Sequence, residues 1–315
     1  MTRTRRAASR HGYLVIDKPG GWTSHDVVAR VRRIAGERRV GHAGTLDPAA
    51  VGVLPVAVGL ATRTVEYLAE ASKAYRAEIT FGIETDSADG DGLVTAQRGA
   101  GGLTREAVEV ALASFQGPQM QVPPLHSAVQ VDGRRLYEFA HAGVAPAGIA
   151  IPARAIAIHS IDLVHWEHPV ATVDITCSKG TYVRSIARDL GERLGTGAYL
   201  SNLVRTATGP FTLADAVTLD ELEDRLRNEP WASIAAHPDR ALEHLPALVV
   251  ADEQRVWWFQ GKPLAIRAAP GDVRVYDSHG VWIGVGRSDG GEIRPSKVVA
   301  LDELDQSASE QERSA

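Results

Sequence analysis

The stretch that most limits how this chain can fold runs from Gly41 to Arg63, GHAGTLDPAAVGVLPVAVGLATR. Its first half has no apolar periodicity. It passes small residues, His42 and Thr45 to reach a lone carboxylate, Asp47, with Pro48 directly after it. A residue before proline is pushed toward extended backbone and out of helix, so Asp47 is expected on a loop. Gly41 and Gly44 permit tight backbone and the close approach of a flat partner. After Gly52, the residues Leu54, Val56 and Val58 recur at strand spacing. The pattern predicts a short loop carrying one acid, braced by a buried strand. A lone Asp-Pro pair is most often a turn whose carboxylate caps backbone amides. The residues around this one raise a second reading, a reactive acid.

Composition narrows the chemistry. Cys177 is the only cysteine, which excludes an internal disulfide framework and a thiolate metal cluster and suits a reducing cytosol. The opening residues, MTRTRRAASRHG, are basic, but no apolar run of signal-peptide or membrane-spanning length follows. Residues 1–11 read as a flexible basic arm. A net charge of −5 looks wrong for a nucleic-acid partner, yet residues 1–210 carry 23 Lys and Arg against 20 Asp and Glu, and residues 211–315 carry 11 against 19. Phosphate binding needs a local basic face, not a basic total.

Local patterns order the rest of the chain. Tyr13 to Asp17 reads as a strand, broken by a turn at Lys18-Pro19-Gly20-Gly21. Thr23 or Ser24 is placed to cap a helix whose buried face is Val27, Val28, Val31 and Ile34. Leu60 to Leu68 is expected to be helical, and Lys73 to Phe81 alternates as a strand carrying Tyr75. The acidic run Thr85 to Gly92 reads as a polar turn. It lacks the bidentate Glu that would close a calcium loop. An amphipathic helix is expected from Thr104 to Phe115, a strand from Ser127 to Val131, and a helix from Arg134 to Ala142. Strands are expected over Arg154 to Trp166 and Val170 to Ser178. Gly180 then ends a strand, and Thr181 is placed to cap a helix with Tyr182 and Arg184 in its first turn. From Val217 the chain turns acidic and proline-punctuated, with a helix over Asp252 to Gln260 and a hairpin around His279-Gly280.

The Gly41–Arg63 stretch closely resembles the signature of the TruB family of pseudouridine synthases, the bacterial tRNA pseudouridine-55 synthases. The resemblance puts the family's catalytic nucleophile on Asp47 and its active-site His on His42. Lys18 to Ser24 resembles the family's K-P-x-G-x-T-S segment, which reads as scaffold for the Asp loop. The Lys-x-Tyr at Lys73 implies that Tyr75 stacks on the target base. Pro123 to Tyr137 resembles a further motif, with His126 in place of the usual Tyr and Gln130 in place of the usual Lys. The segment Gly143 to Gly148 falls where the family clamps the tRNA arm. Lys179-Gly180-Thr181-Tyr182-Val183-Arg184 resembles the K-G-T-Y-I-R motif, in which the Arg pairs with the catalytic Asp and the Tyr lines the pocket. In the motif at Ala198 to Phe211, Leu203 would pack under the base, and Arg205 would make a phosphate or structural contact.

The resemblance implies an α+β fold, the pseudouridine synthase fold: a mixed, largely antiparallel sheet flanked by helices, with a small β-rich C-terminal module. It implies a catalytic domain over 12–216, a small C-terminal domain over 217–303 that weakly resembles a reduced PUA barrel, and a disordered tail over 304–315. The activity implied is isomerisation of uridine to pseudouridine in the tRNA T-arm on a flipped base, with accompanying tRNA-folding chaperone activity. No cofactor, metal, membrane or protein partner is expected, and the protein is expected to be a cytoplasmic monomer. Three routes stay open: attack at C1′, addition to C6, and elimination through a glycal. Two other classes also stand, a guide-directed ribosomal RNA synthase and a chaperone without chemistry. The intact Asp47, Tyr75 and Arg184 set speaks against the second.

Overall fold

The computed structural model describes residues 10–127, 129–131, 133–141 and 151–299. Residues 1–9 of the expected arm, the segment Gly143 to Gly148 and the tail lie outside the described residues. Arg10 and His11 are packed rather than free. Arg10 donates to the Ala35 carbonyl at 3.1 Å, and His11 Nδ1 accepts from Leu60 N at 3.2 Å.

The chain begins with β1 (Gly12–Lys18), α1 (Ser24–Ala35), β2 (Val40–His42), β3 (Val51–Val58), a 3-10 turn over Gly59–Arg63, α2 (Val65–Glu70) and β4 (Lys73–Phe81). A hairpin of β5 (Ile83–Thr85) and β6 (Val94–Gln97) leads to α3 (Arg105–Ala113) and β7 (Gly117–Gln121). The helix expected from Arg134 starts later, because β8 (Gln130–Val131) and β9 (Arg134–Arg135) first pair as a ribbon before α4 (Leu136–His141). Then come β10 (Arg154–Glu167), β11 (Val170–Cys177), α5 (Val183–Arg193), β12 (Ala198–Thr208) and β13 (Phe211–Thr212).

These strands make one nine-stranded sheet whose main path is β1-β3-β12-β4-β11-β10-β7. Every pairing in it is antiparallel except β3 with β12, so the sheet is mixed and largely antiparallel, as expected. At that parallel contact Gly52 lies opposite Arg205 with φ +97°, and a Cβ there would stand 2.3 Å from the Arg205 carbonyl oxygen. Only glycine fits that position.

Side-chain alternation gives the sheet two faces. In β1, Leu14 and Ile16 join Leu54, Val56 and Val58 of β3 under Val27, Val28 and Val31 of α1. Tyr13 and Val15 point the other way, into a core with Val53, Ala57, Leu68 and Phe211. With α1 over one face and α2 among the cover on the other, β3 is buried almost end to end. This explains its continuous apolar sequence, since a strand covered on both faces loses the polar half of its alternation. The β4, β11 and β10 half packs Ile79, Val173, Ile175 and Ile156 against Val108 and Leu112 of α3 and Ile186 and Leu190 of α5.

The compositional change at Val217 does not mark the packing boundary. Val217 bridges Ile16, and Ala236 pairs with Tyr13 in both directions, at 2.8 and 2.9 Å. Leu219 and Leu222 of α6 (Leu219–Asn228) are buried in the α1 core. The separate module starts at residue 246. It is a four-stranded sheet of β14 (Ala247–Val249), β15 (Gly271–Tyr276), β16 (Trp282–Ser288) and β17 (Ile293–Val298), closed by a helix over Asp252–Phe259. Buried Trp258 donates to the Ile283 carbonyl at 2.9 Å inside it. The module is docked on the catalytic body through Trp282 against Leu60 and Leu242, with Tyr67 of α2 alongside. Arg63 donates to the Val298 carbonyl at 2.8 Å, and Lys297 pairs with Glu66 of α2 at 2.8 Å.

Candidate active site

The loop after β2 is fixed from below before any reactive group is considered. Ser24, at the start of α1, accepts from Leu46 N at 2.9 Å and donates to Leu46 O at 3.2 Å. Pro48 O accepts from Gly21 N at 2.9 Å and from Lys18 Nζ at 3.0 Å. Lys18 is fully buried, and its Nζ also donates to Pro19 O. Burial lowers its pKa, and Asp47 acts in the opposite sense. The K-P-x-G-x-T-S segment is thus the underside of the Asp loop. Arg205 braces the loop from another side: Nε donates to Val53 O at 2.7 Å and Nη2 to Gly44 O at 3.1 Å. Arg205 is 1% exposed, so of the two roles expected for it the structural one holds.

Asp47 itself is half exposed, and one carboxylate oxygen lies 3.0 Å from Nη2 of Arg184. Arg184 is buried. The same guanidinium meets Asp89 at 3.4 Å and donates to Ser87 O at 3.2 Å and His126 O at 2.9 Å. A planar guanidinium presents several donors in fixed directions. Here contacts from three separate loops hold it in place, which keeps its charge beside Asp47. Asp89 belongs to the acidic run read from sequence as a polar turn. Its Oδ1 does serve the turn, accepting from Ser87 Oγ at 2.5 Å and Asp91 N at 3.2 Å, while Oδ2 holds Arg184.

The N-terminus of α5 is arranged differently from expectation. The cap position is Tyr182, with no side-chain cap, and Thr181 Oγ1 donates instead to Ser178 O at 3.0 Å. Buried Gln121, at the end of β7, clasps the Tyr182 backbone: its amide oxygen accepts from Tyr182 N at 2.8 Å and its amide nitrogen donates to Tyr182 O at 3.1 Å. That clasp sets where Tyr182 and Arg184 leave the helix start. No sequence signal marks Gln121.

Across the sheet, Tyr75 of β4 stands opposite Arg205 of β12, and Leu203 stands opposite Ala77. Residues two apart on a strand share a face, so Tyr75 and Leu203 look into one space. Burial pushes the Tyr75 phenol above its ordinary pKa, while its contact with the Arg205 guanidinium pulls it down. Lys73, one turn of the pleat earlier, is buried with Nζ on Ala69 O at 2.5 Å and Ala71 O at 2.6 Å.

These groups line one cavity of about 480 Å³. Asp47, Tyr75, Arg184, Tyr182 and Leu203 are all in its wall, together with Lys73, His126 and Arg205. His42 is not. It is the last residue of β2, and its ring meets that of His25 edge-on with centroids 5.5 Å apart. Burial, then His25 and Arg205, lower its pKa. A larger cavity of about 750 Å³, lined by Asp17, Lys18, Trp22, Arg33, Thr218 and Asp220, contains none of the Asp47 set except through the Lys18 support. Among the described residues no group of three His, Cys, Asp or Glu side chains is arranged to hold a metal. The wall offers one carboxylate, fixed donors around it and an aromatic face, which suits substitution or proton transfer at a flat, polar ligand.

The mixed sheet with helices over it is the fold of a pseudouridine synthase, as comparison with known proteins shows. Three family models match in succession: the TruB family pseudouridylate synthase N-terminal domain over residues 32–183, the tRNA pseudouridylate synthase B C-terminal domain over 184–245, and the pseudouridine synthase II TruB C-terminal model over 246–299. The chain belongs to the TruB family of pseudouridylate synthases, which are isomerases. It is 42% identical over 292 residues to the tRNA pseudouridine synthase B of Trichormus variabilis, covering 91% of this chain and 98% of that one. It is 48% identical over 273 residues to the protein of the same name from Symbiobacterium thermophilum, covering 85% and 88%. Among solved structures it resembles a chain of a Cbf5-Nop10-Gar1 complex with TM-score 0.74 and 25% identity, covering 95% and 91% of the two chains. It also resembles a chain of an H/ACA RNP bound to a substrate RNA containing 2′-deoxyuridine, with TM-score 0.72 and 25% identity, covering 93% and 86%.

Proposed function

We propose that this chain isomerises uridine to pseudouridine in the T-arm of tRNA, at the position-55 uridine of the T-loop, with Asp47 as the nucleophile on a flipped base. The observation that carries the reading is the Asp47–Arg184 contact at 3.0 Å in the wall of a cavity that also holds Tyr75 and Leu203. Flipping a base costs a few kcal/mol. Stacking on one aromatic face returns roughly 1–3 kcal/mol per base, so Tyr75 with Leu203 beneath offsets part of that cost and contacts along the T-arm supply the rest. Arg184 keeps the carboxylate aimed at the sugar–base junction, and Tyr182 closes the wall beside it. His42 is outside the cavity lining, and its part in substrate binding is read only from its place in the same Gly41–Arg63 stretch as Asp47.

The tRNA assignment is supported by the named relatives, which this chain matches over 85–91% of its length. The Cbf5 neighbours are assembled with Nop10 and Gar1. This chain is read as acting alone, as a cytoplasmic monomer without cofactor, and as assisting tRNA folding while bound. No described helix is long and apolar enough to cross a membrane. The test is single-turnover release of tritium from C5 of labelled uridine in a T-arm RNA by the purified protein. Wild type is expected to release it and Asp47→Ala to release none while still binding the RNA. Normal turnover by folded Asp47→Ala would end the assignment.

A further inference from the structure

Isomerisation on an Asp nucleophile has a charge problem at its centre. When C1′–N1 breaks, the bond's electron pair stays with the base, while C1′ is taken by an Asp47 oxygen or a C2′ proton passes to the Asp47 carboxylate. The base is then a uracil monoanion, with charge spread over O2 and O4. If Asp47 instead adds to C6, the displaced pair moves onto O4. Each route loads negative charge on the base before C5 uses its electron pair to bond C1′ and gives up its proton. Arg184 is turned to other partners, with Nη1 and Nη2 meeting Asp47, Asp89, Ser87 O and His126 O. Arg205 is likewise committed to Val53 O, Gly44 O and the Tyr75 hydroxyl.

Lys73 is not fully committed. An ammonium has three donors, and two are taken by Ala69 O and Ala71 O at the end of α2. No third acceptor meets Nζ among the described residues, and the side chain is part of the cavity wall with Asp47 and Tyr75. Gly44, whose φ is +95°, brings the start of the Asp loop over it: a Cβ built there would lie 3.9 Å from Lys73 Cε and 3.5 Å from Arg205 Nη1. The two carbonyls hold the ammonium in place without neutralising it.

We propose that Lys73 is a catalytic residue of this site, the fixed cation whose remaining N–H receives the negative charge that develops on the target base as its bond to the sugar breaks. The proposal rests on the Asp47 reading above. It uses a preorganised charge held by two backbone carbonyls, and one such donor is commonly worth ~10²–10³ in rate. A neutral carbonyl of the bound uridine gains less from the same donor than the anion does, so the benefit falls on the rate rather than on binding.

The groups facing Lys73 are Arg205 from β12, Cys177 from β11, Glu70 from α2, Lys179 from the turn after β11, and Asp47 across the cavity. Burial and Arg205 lower the Lys73 pKa to about 8, with Cys177 and Glu70 opposing. The cation is therefore present below that pH and lost above it.

The experiment compares wild type, Lys73→Met, Lys73→Arg and Asp47→Ala on T-arm RNAs carrying uridine or 5-fluorouridine at the target, following consumption of the target nucleotide in single turnovers. Fluorine stabilises the base anion and so reduces the need for an external cation. Lys73→Met is expected to lose ~100-fold on uridine at pH 7 and markedly less on 5-fluorouridine, with RNA affinity within about threefold of wild type. Lys73→Arg should recover part of the loss. The wild-type rate should fall as pH rises through about 8, and the Met variant should lack that limb. A merely structural loss would be the same on both RNAs and at every pH. Equal losses on the two RNAs, or a Met variant within threefold of wild type on uridine, would overturn the proposal. An active Asp47→Ala would instead overturn the reading beneath it.

Discussion

Tyr75 and Arg205 face each other across β4 and β12, the phenol hydroxyl against a guanidinium that is 1% exposed. The aromatic that meets the base is thereby tied to the same arginine that holds Gly44 O and Val53 O under the Asp loop. Tyr75→Phe leaves a buried guanidinium N–H unmatched, a cost of ~1–3 kcal/mol. It is expected to slow single-turnover tritium release roughly 10- to 100-fold. Tyr75→Leu loses the stacking face as well, worth a further ~1–3 kcal/mol, and should be slower still. A Phe variant as fast as wild type would remove the Arg205 contact from the account.

Asp89 holds Arg184 from the side opposite the nucleophile. Asp89→Asn keeps the shape and removes one charge, so the guanidinium is less firmly aimed. The expected result is a ~10- to 100-fold slower turnover with unchanged RNA affinity, since positioning groups act on rate. Combined with Arg184→Ala, the second change should add little, because residues acting as one unit are not additive. Fully additive losses in the double variant would separate Asp89 from Arg184.

Ending the chain after Ala214 removes Leu219 and Leu222 from the core they share with Ile16 and Leu54, along with the Ala236 pairing to Tyr13. Each buried Leu is worth ~2–5 kcal/mol, against a total stability of ~5–15 kcal/mol. This truncate is expected to be unfolded or to melt at least ~10 °C lower in a thermal scan. Ending at residue 245 spares that core and removes the surface contacts of the module with Leu60, Leu242, Arg63 and Glu66, so it should fold with a smaller loss. Equal melting of the two truncates would contradict this division.

His42 has its pKa lowered from the ordinary 6.5 chiefly by burial, with His25 and Arg205 adding to the effect. For a base whose folded pKa is depressed, the unfolded chain binds the proton more readily. Stability is then full above pH 6.5 and declines as pH falls below it toward the lower folded value. His42→Gln should flatten that part of the stability–pH curve, measured by urea unfolding between pH 5 and pH 8. An unchanged slope would assign the acid sensitivity to another group.

Much of the site was legible because its parts lie in contiguous stretches with local rules. Pro48 fixes Asp47 on a loop, Gly44 permits a close approach, and the alternation of Lys73 to Phe81 puts Tyr75 on a strand. Asp89, Gln121 and the free donor of Lys73 were not legible. Asp89 sits in a run whose turn chemistry is real, since one of its oxygens does close the turn, and only the fold shows where the other oxygen goes. Gln121 acts through its amide on the backbone of a residue 61 positions away. The boundary at Val217 misled for a related reason. Acidic, proline-rich composition reports the outward face of α6, while Leu219 and Leu222, spaced three apart, carry the packing.

The short helix α2 touches both ends of the molecule's business. Its first turn bears Glu66 on Lys297 and Tyr67 beside Trp282, and its last residues put Ala69 in the cavity wall, Ala69 O on Lys73 and Glu70 on Lys179. A helix of 6 residues is only about 9 Å long, too short to bend. The terminal module and the cavity therefore share one short rigid element: the helix that carries the Lys297 and Trp282 contacts at one end lines the pocket at the other.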